Sequence, residues 1–341
     1  MSAKLNTRCA LTALAPWGIP LLSCAVLLTL SAMNAGCAQL HDPNVPEPIR
    51  QYLEPVHERD YLLYIPSRYD REHAWPLVVV CHSTFPDTAV RQMRAWTVAA
   101  ESSEFIVAAP SLEASRGSSM RSAEDQIPLQ RADEDYIVAL VQHVRGAYNV
   151  SDDRIFIHGF ARGAASALQA GFRHPEIFRA ISLLQPNAKS GYLVDLSHGI
   201  DAHQPVYLNY SVDDVLRGKK AAKCVEWLRS HGADLREDPA GPARKNDVAG
   251  PVEFFERVIR KDPWIRVHTF APSAGDPLEI QFRLRCSYQP RRVFWEFGDG
   301  ETSSSDEPVH RYKEPGTYEV ALTIAGAGNR EDRRTLSLIV P

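Results

Sequence analysis

The residues from Arg154 to Phe172 hold the frame of a chemical site without its reactive atom. Arg154–His158 is a short apolar run of β-formers and predicts a buried strand. Ala161–Phe172 is Ala-rich with helical spacing. Between them, Gly159-Phe160-Ala161-Arg162-Gly163 has the glycine spacing of G-x-S-x-G, a sharp strand-to-helix turn that presents a Ser Oγ to an acyl carbonyl. The glycines are needed because the turn is strained and the helix packs close to the strand. The Ser position is Ala161, whose methyl group has no lone pair. Ser166, further along the expected helix, lies on the wrong side of the turn to replace it. Acyl transfer also requires a base, an acid that orients it, and two N–H donors for the oxyanion.

The elements that must position this turn can be read from periodicity. Trp75–Cys81, Phe105–Ala109, Phe178–Leu184 and Pro205–Tyr210 are short continuous apolar runs, the pattern of strands buried on both faces. Arg59–Ile65 alternates as an edge strand. Thr88–Ala100, Ala132–Tyr148, Val215–His231 and Val252–Arg260 read as helices; Tyr136, Ile137, Leu140, Val141 and Val144 share one face. Leu112–Gln126 and Leu235–Gly250 read as loops. Strands alternating with helices predict a parallel sheet covered on both faces, with His82-Ser83, Ala161 and Asp213 at the strands' C-terminal ends. From about Ile265 only period-2 segments remain, at Glu279–Leu284, Arg292–Phe297, Thr317–Ile324 and Thr335–Val340, so an all-β module is expected.

The N-terminus differs from the rest. Lys4 and Arg8 precede an uncharged apolar stretch that ends Ala35-Gly36-Cys37, which reads as an export signal over residues 1–36. The ending resembles a bacterial lipobox, with Asn34 where Leu is usual. Cys37 is then the expected lipidation site, a tether to a membrane surface in the periplasm or outside the cell. An ordinary cleaved signal or an uncleaved anchor are the alternatives. Residues 37–56 are Pro-rich and polar, a linker. Of 38 Lys and Arg and 42 Asp and Glu, only two basic residues fall within 1–36, leaving 36 basic against 42 acidic, a balance that argues against a nucleic-acid partner. Cys81, Cys224 and Cys286 are too scattered for a disulfide framework or Cys-x-x-Cys metal spacing, and Cys81 reads as a small buried hydrophobe.

Tyr61-Leu-Leu-Tyr-Ile-Pro66, Pro76–Val80 followed by His82, Tyr148-Asn-Val-Ser-Asp-Asp-Arg154, the elbow frame and His174-Pro-Glu-Ile-Phe178 occur in order. On these motifs, residues 57–262 resemble secreted α/β-hydrolase esterases of the polyhydroxybutyrate depolymerase and feruloyl esterase group. The resemblance implies a doubly wound, mostly parallel sheet. Trp295-Glu-Phe-Gly-Asp-Gly300, Pro308-Val-His310-Arg-Tyr312 and Pro315-Gly316-Thr-Tyr318 follow at the spacing of a PKD domain. Residues 265–341 therefore resemble that immunoglobulin-like sandwich. Trp295, Phe297, His310, Tyr312 and Tyr318 are expected to be structural, and Gly298, Asp299, Gly300 and Gly316 to shape turns.

The resemblance also says what is missing. It implies a catalytic acid at Asp213, although Asn209-Tyr210 stand where the family commonly has His-Gly, and Asp213 and Asp214 also read as solvated loop carboxylates. It implies a His in the loop after the last strand, yet no His occurs from Gly232 to Val267. It places the oxyanion donors at Arg162 and at His82-Ser83, where the family usually has His-Gly. His57, His82, His158 and His174 lack ligand spacing, and neither metal nor cofactor is expected. The leading expectation is a non-catalytic binding or scaffold protein whose PKD module contacts an extracellular polymer, glycan or protein surface. A working ester hydrolase with a displaced catalytic set is a second reading. A carbohydrate or polymer binder using Phe85, Phe160, Tyr210 and Arg162 is a third.

Overall fold

Apolar β-branched runs alternate with amphipathic ones between residues 50 and 260, and in the computed structural model they form a single layered sheet. The structure describes residues 39–40, 48–116, 121–193, 196, 200, 204–211, 215–240, 247–260, 265–270, 276–286, 288–326 and 331–341. Cys37, the expected signal over residues 1–36 and Asp213 lie outside them.

The strands of this sheet are β1 (Gln39–Leu40), β2 (Arg50–Glu54), β3 (Arg59–Tyr64), β4 (Trp75–Cys81), β5 (Ile106–Pro110), β6 (Val150–Phe160), β7 (Ala180–Leu184), β8 (Pro205–Ser211) and β9 (Asp234–Ala240). Their spatial order is β1-β2-β3-β5-β4-β6-β7-β8-β9. The first three and β5 pair antiparallel; from β5 through β9 every pairing is parallel. This crossover order, with its antiparallel start, is the doubly wound α/β-hydrolase arrangement.

The connecting helices are α1 (Ala89–Ser103), α2 (Ala123–Ala147), α3 (Gly163–Arg173), α4 (Val215–Ser230) and α5 (Ala249–Arg260). On one face Met93 and Trp96 of α1 and Phe254, Phe255 and Val258 of α5 pack with Val78, Val80, Val107 and Phe156. The alternate residues Leu77 and Val79 are also fully buried, as strands covered on both faces require. Thr88 caps α1 through its Oγ, which accepts from Arg91 N, and Ser122 caps α2 by accepting from Asp125 N at 3.1 Å.

Four expectations need correction. Arg59–Tyr64 is not an edge strand, because β2 covers its outer side. Part of the expected linker 37–56 supplies that cover: Ile49, Tyr52 and Glu54 are buried, and Tyr52 stacks on Tyr61 at 5.6 Å. Alternating polar residues with one apolar face disguised this strand as linker. Residues 234–240 are a strand rather than a loop; β9 pairs only with β8, so solvent takes its other side and a polar sequence containing Pro239 suffices. Finally, α2 begins at Ala123 rather than Ala132. Pro128 lies early in it, and its missing N–H costs one helical bond near the exposed end.

The C-terminal module contains β10 (Ile265–Phe270), β11 (Glu279–Cys286), β12 (Arg292–Glu296), β13 (Thr302–Ser303), β14 (Val309–Arg311), β15 (Gly316–Ala325) and β16 (Glu331–Val340). They form two antiparallel sheets, β10-β11-β14 and β13-β12-β15-β16, closed over Phe282, Trp295, Phe297, Tyr312, Val320, Leu322 and Ile324. The module is docked on the hydrolase sheet. Buried Arg266 donates from Nη1 to the carbonyls of Phe178 (3.2 Å) and Arg179 (3.0 Å), and Arg285 donates to the Asp152 carbonyl (2.8 Å). Among the described residues no helix is long and apolar enough to cross a membrane.

Candidate active site: a nucleophile elbow occupied by alanine

Strand β6 delivers the chain to the elbow and α3 carries it away. Ala161 has φ +48, the left-handed conformation that a Cβ disfavours. The strain is held by hydrogen bonds from both sides: Ala161 N donates to Leu184 O at 2.9 Å, and Asn187 N donates to Ala161 O at 2.9 Å. The flanking glycines are sterically required. A Cβ on Gly163 would stand 2.2 Å from the Cys81 carbonyl, and one on Gly159 would stand 2.6 Å from the Ala164 Cα. The backbone device that presents a nucleophile is therefore intact, and it presents a methyl group.

Ser166 lies inside α3, buried, with no hydrogen bond to its Oγ. Cys81 ends β4 fully buried, and burial pushes its thiol well above the usual range, as expected for a packing residue.

The residues expected at the oxyanion region do come together. The loop after β4 brings Ser83 to the elbow, and the Arg162 backbone N–H donates to Ser83 Oγ at 3.3 Å. The donor that would hold an oxyanion is engaged by a hydroxyl of the protein itself. His82 is also committed. Its Nδ1 lies 2.7 Å from Ser83 O, and its Nε2 accepts from Leu112 N at 3.0 Å. That pattern assigns the proton to Nδ1 and leaves the ring neutral. Burial, partly offset by the Ser83 carbonyl, lowers its pKa. His82 thus ties the β4 loop to the segment after β5.

Other histidines have structural partners. His158, fully buried, has Nδ1 at 2.7 Å from Ser182 Oγ, and burial pushes its pKa down to about 3. His174 bridges Glu134 (2.8 Å) and Glu176 (3.2 Å). Burial works against its charge, but those carboxylates win and raise its pKa to about 9. His57 faces Glu54 at 3.0 Å. No group of three potential metal ligands occurs among the described residues.

Of the aromatics considered for a cleft, Phe160 is buried. Tyr210 donates its hydroxyl to Glu237 Oε2 at 3.2 Å. Phe85 is 89% exposed. Sequence reasoning missed Gln126, Arg121 and Tyr192, which gather beside Arg162. Gln126 Oε1 accepts from Arg162 Nη2 at 3.5 Å, and Tyr192 donates to the Arg121 carbonyl at 2.8 Å. Gln126 and Arg121 fall where a loop was expected, so no periodicity marked them.

In the C-terminal module the motif residues are structural. His310 stacks on Phe297 with centroids 4.0 Å apart, and its Nε2 meets Asp299 Oδ2 at 2.8 Å. Asp299 Oδ1 accepts from Glu301 N at 3.0 Å. Trp295 donates to Ser305 O at 3.0 Å, and Tyr312 donates to Phe297 O at 3.1 Å. Tyr312 and Tyr318 have ring centroids 4.2 Å apart. Gly298 (φ +85) and Gly300 (φ +92) make the turn, and a Cβ on Gly298 would sit 2.6 Å from Glu319 O. Gly316 differs: a Cβ there would meet only the Tyr318 ring at an ordinary 3.6 Å, so space does not require the glycine.

Residues 262–340 match the family model of the PKD domain. Among solved structures the chain is similar to a ferulic acid esterase (15% identity, 62% of this chain and 97% of that one, TM-score 0.47). It is also similar to a ferulic acid esterase from the anaerobic fungus Anaeromyces mucronatus (14%, 65% and 96%, TM-score 0.47) and to the esterase PE8 (17%, 57% and 97%, TM-score 0.46). No curated protein sequence matches it. Strand order, the strained turn at residue 161 and the matched C-terminal module together make this chain a domain of α/β-hydrolase fold followed by a C-terminal PKD domain.

Proposed function

We propose that the hydrolase-like domain is a pseudo-esterase: a binding or scaffold body that retains the elbow's architecture and has lost its chemistry. The observation that carries this reading is the elbow itself, where Ala161 holds the strained conformation and the Arg162 N–H is engaged by Ser83 Oγ. The His-free sequence from Gly232 to Val267 removes the base independently. Without nucleophile and base, any catalysis left to the oxyanion region is small. The protein is exported and tethered through lipidated Cys37, and the PKD domain contacts an extracellular polymer, glycan or protein surface.

The test is turnover. The purified wild-type protein is expected to hydrolyse p-nitrophenyl and feruloyl esters no faster than buffer. Turnover that Asp213→Ala abolishes would overturn the proposal and leave a displaced catalytic set as the explanation.

A further inference from the structure

Helix α1 carries its charges the wrong way round for a helix that faces only water. Arg91 and Arg94 lie toward its N-terminus and Glu101 and Glu104 toward its C-terminus; no acid stands in the first turn and no base in the last. The macrodipole favours the reverse, with acids at the start and bases at the end. Most of these charges are met within the chain. Arg91 pairs with Asp87 at 3.2 Å, and Glu104 with Arg68 at 3.2 Å. Glu101 accepts from the Tyr64 hydroxyl (2.7 Å), from Ser67 N (3.0 Å) and from Ser67 Oγ. The Ser67 and Tyr64 hydroxyls hold its pKa down to about 2, so it stays charged. Arg94 is exposed and, among the described residues, has no ion-pair partner.

The same face is apolar at its centre. Val98, 80% exposed, forms a ridge with a groove on either side. One groove, of about 510 Å³, lies between Arg94, Thr97 and Glu101 of α1 and the residues Ile49 and Tyr64. The other, of about 440 Å³, lies between α1 and Val248 and Val252. Helical spacing sets Arg94, Val98 and Glu101 on one stripe.

A ridge beside a recess of the same surface is self-complementary under a twofold axis. Two α1 helices packed antiparallel about an axis between Thr97 and Val98 set Arg94 of each copy against Glu101 of the other. Val98 of each copy then enters the groove beside Ile49 and Tyr64 of the other. The arrangement also lays the N-terminal end of each helix beside the C-terminal end of its neighbour. Charges that oppose the dipole of their own helix thus meet the favourable end of the second one. We propose that this face of α1 is the interface of a twofold dimer of this chain. The proposal is independent of the non-catalytic reading, since the face includes no residue of the elbow.

Sedimentation velocity of the full chain over a range of concentrations tests it. A monomer–dimer equilibrium is expected, with a dissociation constant on the order of micromolar, as for a small interface. Val98→Asp, at a position open to solvent, is expected to raise that constant by about tenfold or more while leaving the thermal melt of the monomer intact. Arg94→Glu and Glu101→Lys each set like charges face to face and should each weaken self-association. Mixed together, the two variants regain both ion pairs and should form a heterodimer that neither forms alone. Should Glu101→Lys fail to fold for want of its bonds to Tyr64 and Ser67, Val98→Asp decides. A chain that stays monomeric well above micromolar concentration would overturn the proposal, and protection of α1 from hydrogen exchange in that monomer would give the groove to another segment of the chain. A dimer indifferent to Val98→Asp, or folded charge variants that do not pair on mixing, would overturn the assignment of this face.

Discussion

At the scale of single residues, Ala161 and Ser83 change the meaning of a familiar turn. A serine at 161 would restore one oxygen in the strained position but no base to deprotonate it. Ala161→Ser alone is therefore expected to leave p-nitrophenyl ester turnover at the buffer rate, and a clear gain would mean that a base lies elsewhere. Ser83→Ala should leave the Arg162 N–H without its described acceptor, at a cost of about 1 kcal/mol. Faster hydrogen exchange at the Arg162 amide would register it. His174 supplies a titration. Its folded pKa of about 9 exceeds the unfolded value of about 6.5. The stabilisation is therefore complete below pH 6.5 and lost as pH rises through about 9. His174→Gln should flatten that alkaline decline in denaturant midpoint. An unchanged decline would place its cause elsewhere.

At the scale of elements, the elbow works because α3 packs so closely on β6 at residue 159 and on the end of β4 at residue 163 that only glycine fits at either position. A methyl group on residue 163 would stand 2.2 Å from the Cys81 carbonyl, which belongs to backbone and cannot swing away. Gly163→Ala is expected to destabilise the protein by about 3 kcal/mol, the upper range for overpacking. Gly316→Ala in the PKD domain has open contacts and should be nearly neutral. Thermal melts of the two variants give the comparison, and equal effects would contradict the steric account. This spacing was legible in the sequence, since G-x-x-x-G after an apolar run has few other uses. The strands β2 and β9 were not. β9 is an edge strand, and β2, with only the two-residue β1 beyond it, alternates exposed or half-buried residues with buried ones, so polar residues suffice in both and their sequences resemble loop.

At the scale of the whole molecule, the PKD domain is held by backbone-directed hydrogen bonds. Arg266 satisfies two carbonyls at the start of β7, and Arg285 one at the start of β6. Arg266→Ala is expected to loosen this docking and split one calorimetric unfolding transition into two; a single transition at the wild-type temperature would show that the contact is incidental. The proposed lipid tether belongs to the same scale. Cys37→Ser should move the protein from the membrane fraction to the soluble fraction, and persistence at the membrane would count against lipidation.

The sequence by itself determined the alternation of strand and helix, the C-terminal β module, the loss of Ser at residue 161 and the absence of His between Gly232 and Val267. Each is a local or compositional property, written in residue type and period. Only the tertiary structure decided that Ser83 engages the Arg162 N–H, that His82 is locked between Ser83 and Leu112, and that Arg121 joins Arg162 through Gln126 and the Ala114 carbonyl. The contacts of Arg162 with Ser83, Leu112 with His82 and Arg162 with Gln126 join segments 79, 30 and 36 residues apart, and nothing in the sequence of either partner indicates which distant group will satisfy its hydrogen bonds. The elbow's glycines are written in the local sequence; the groups that hold its strained turn, Leu184, Asn187 and the Cys81 carbonyl, are brought to it by the sheet.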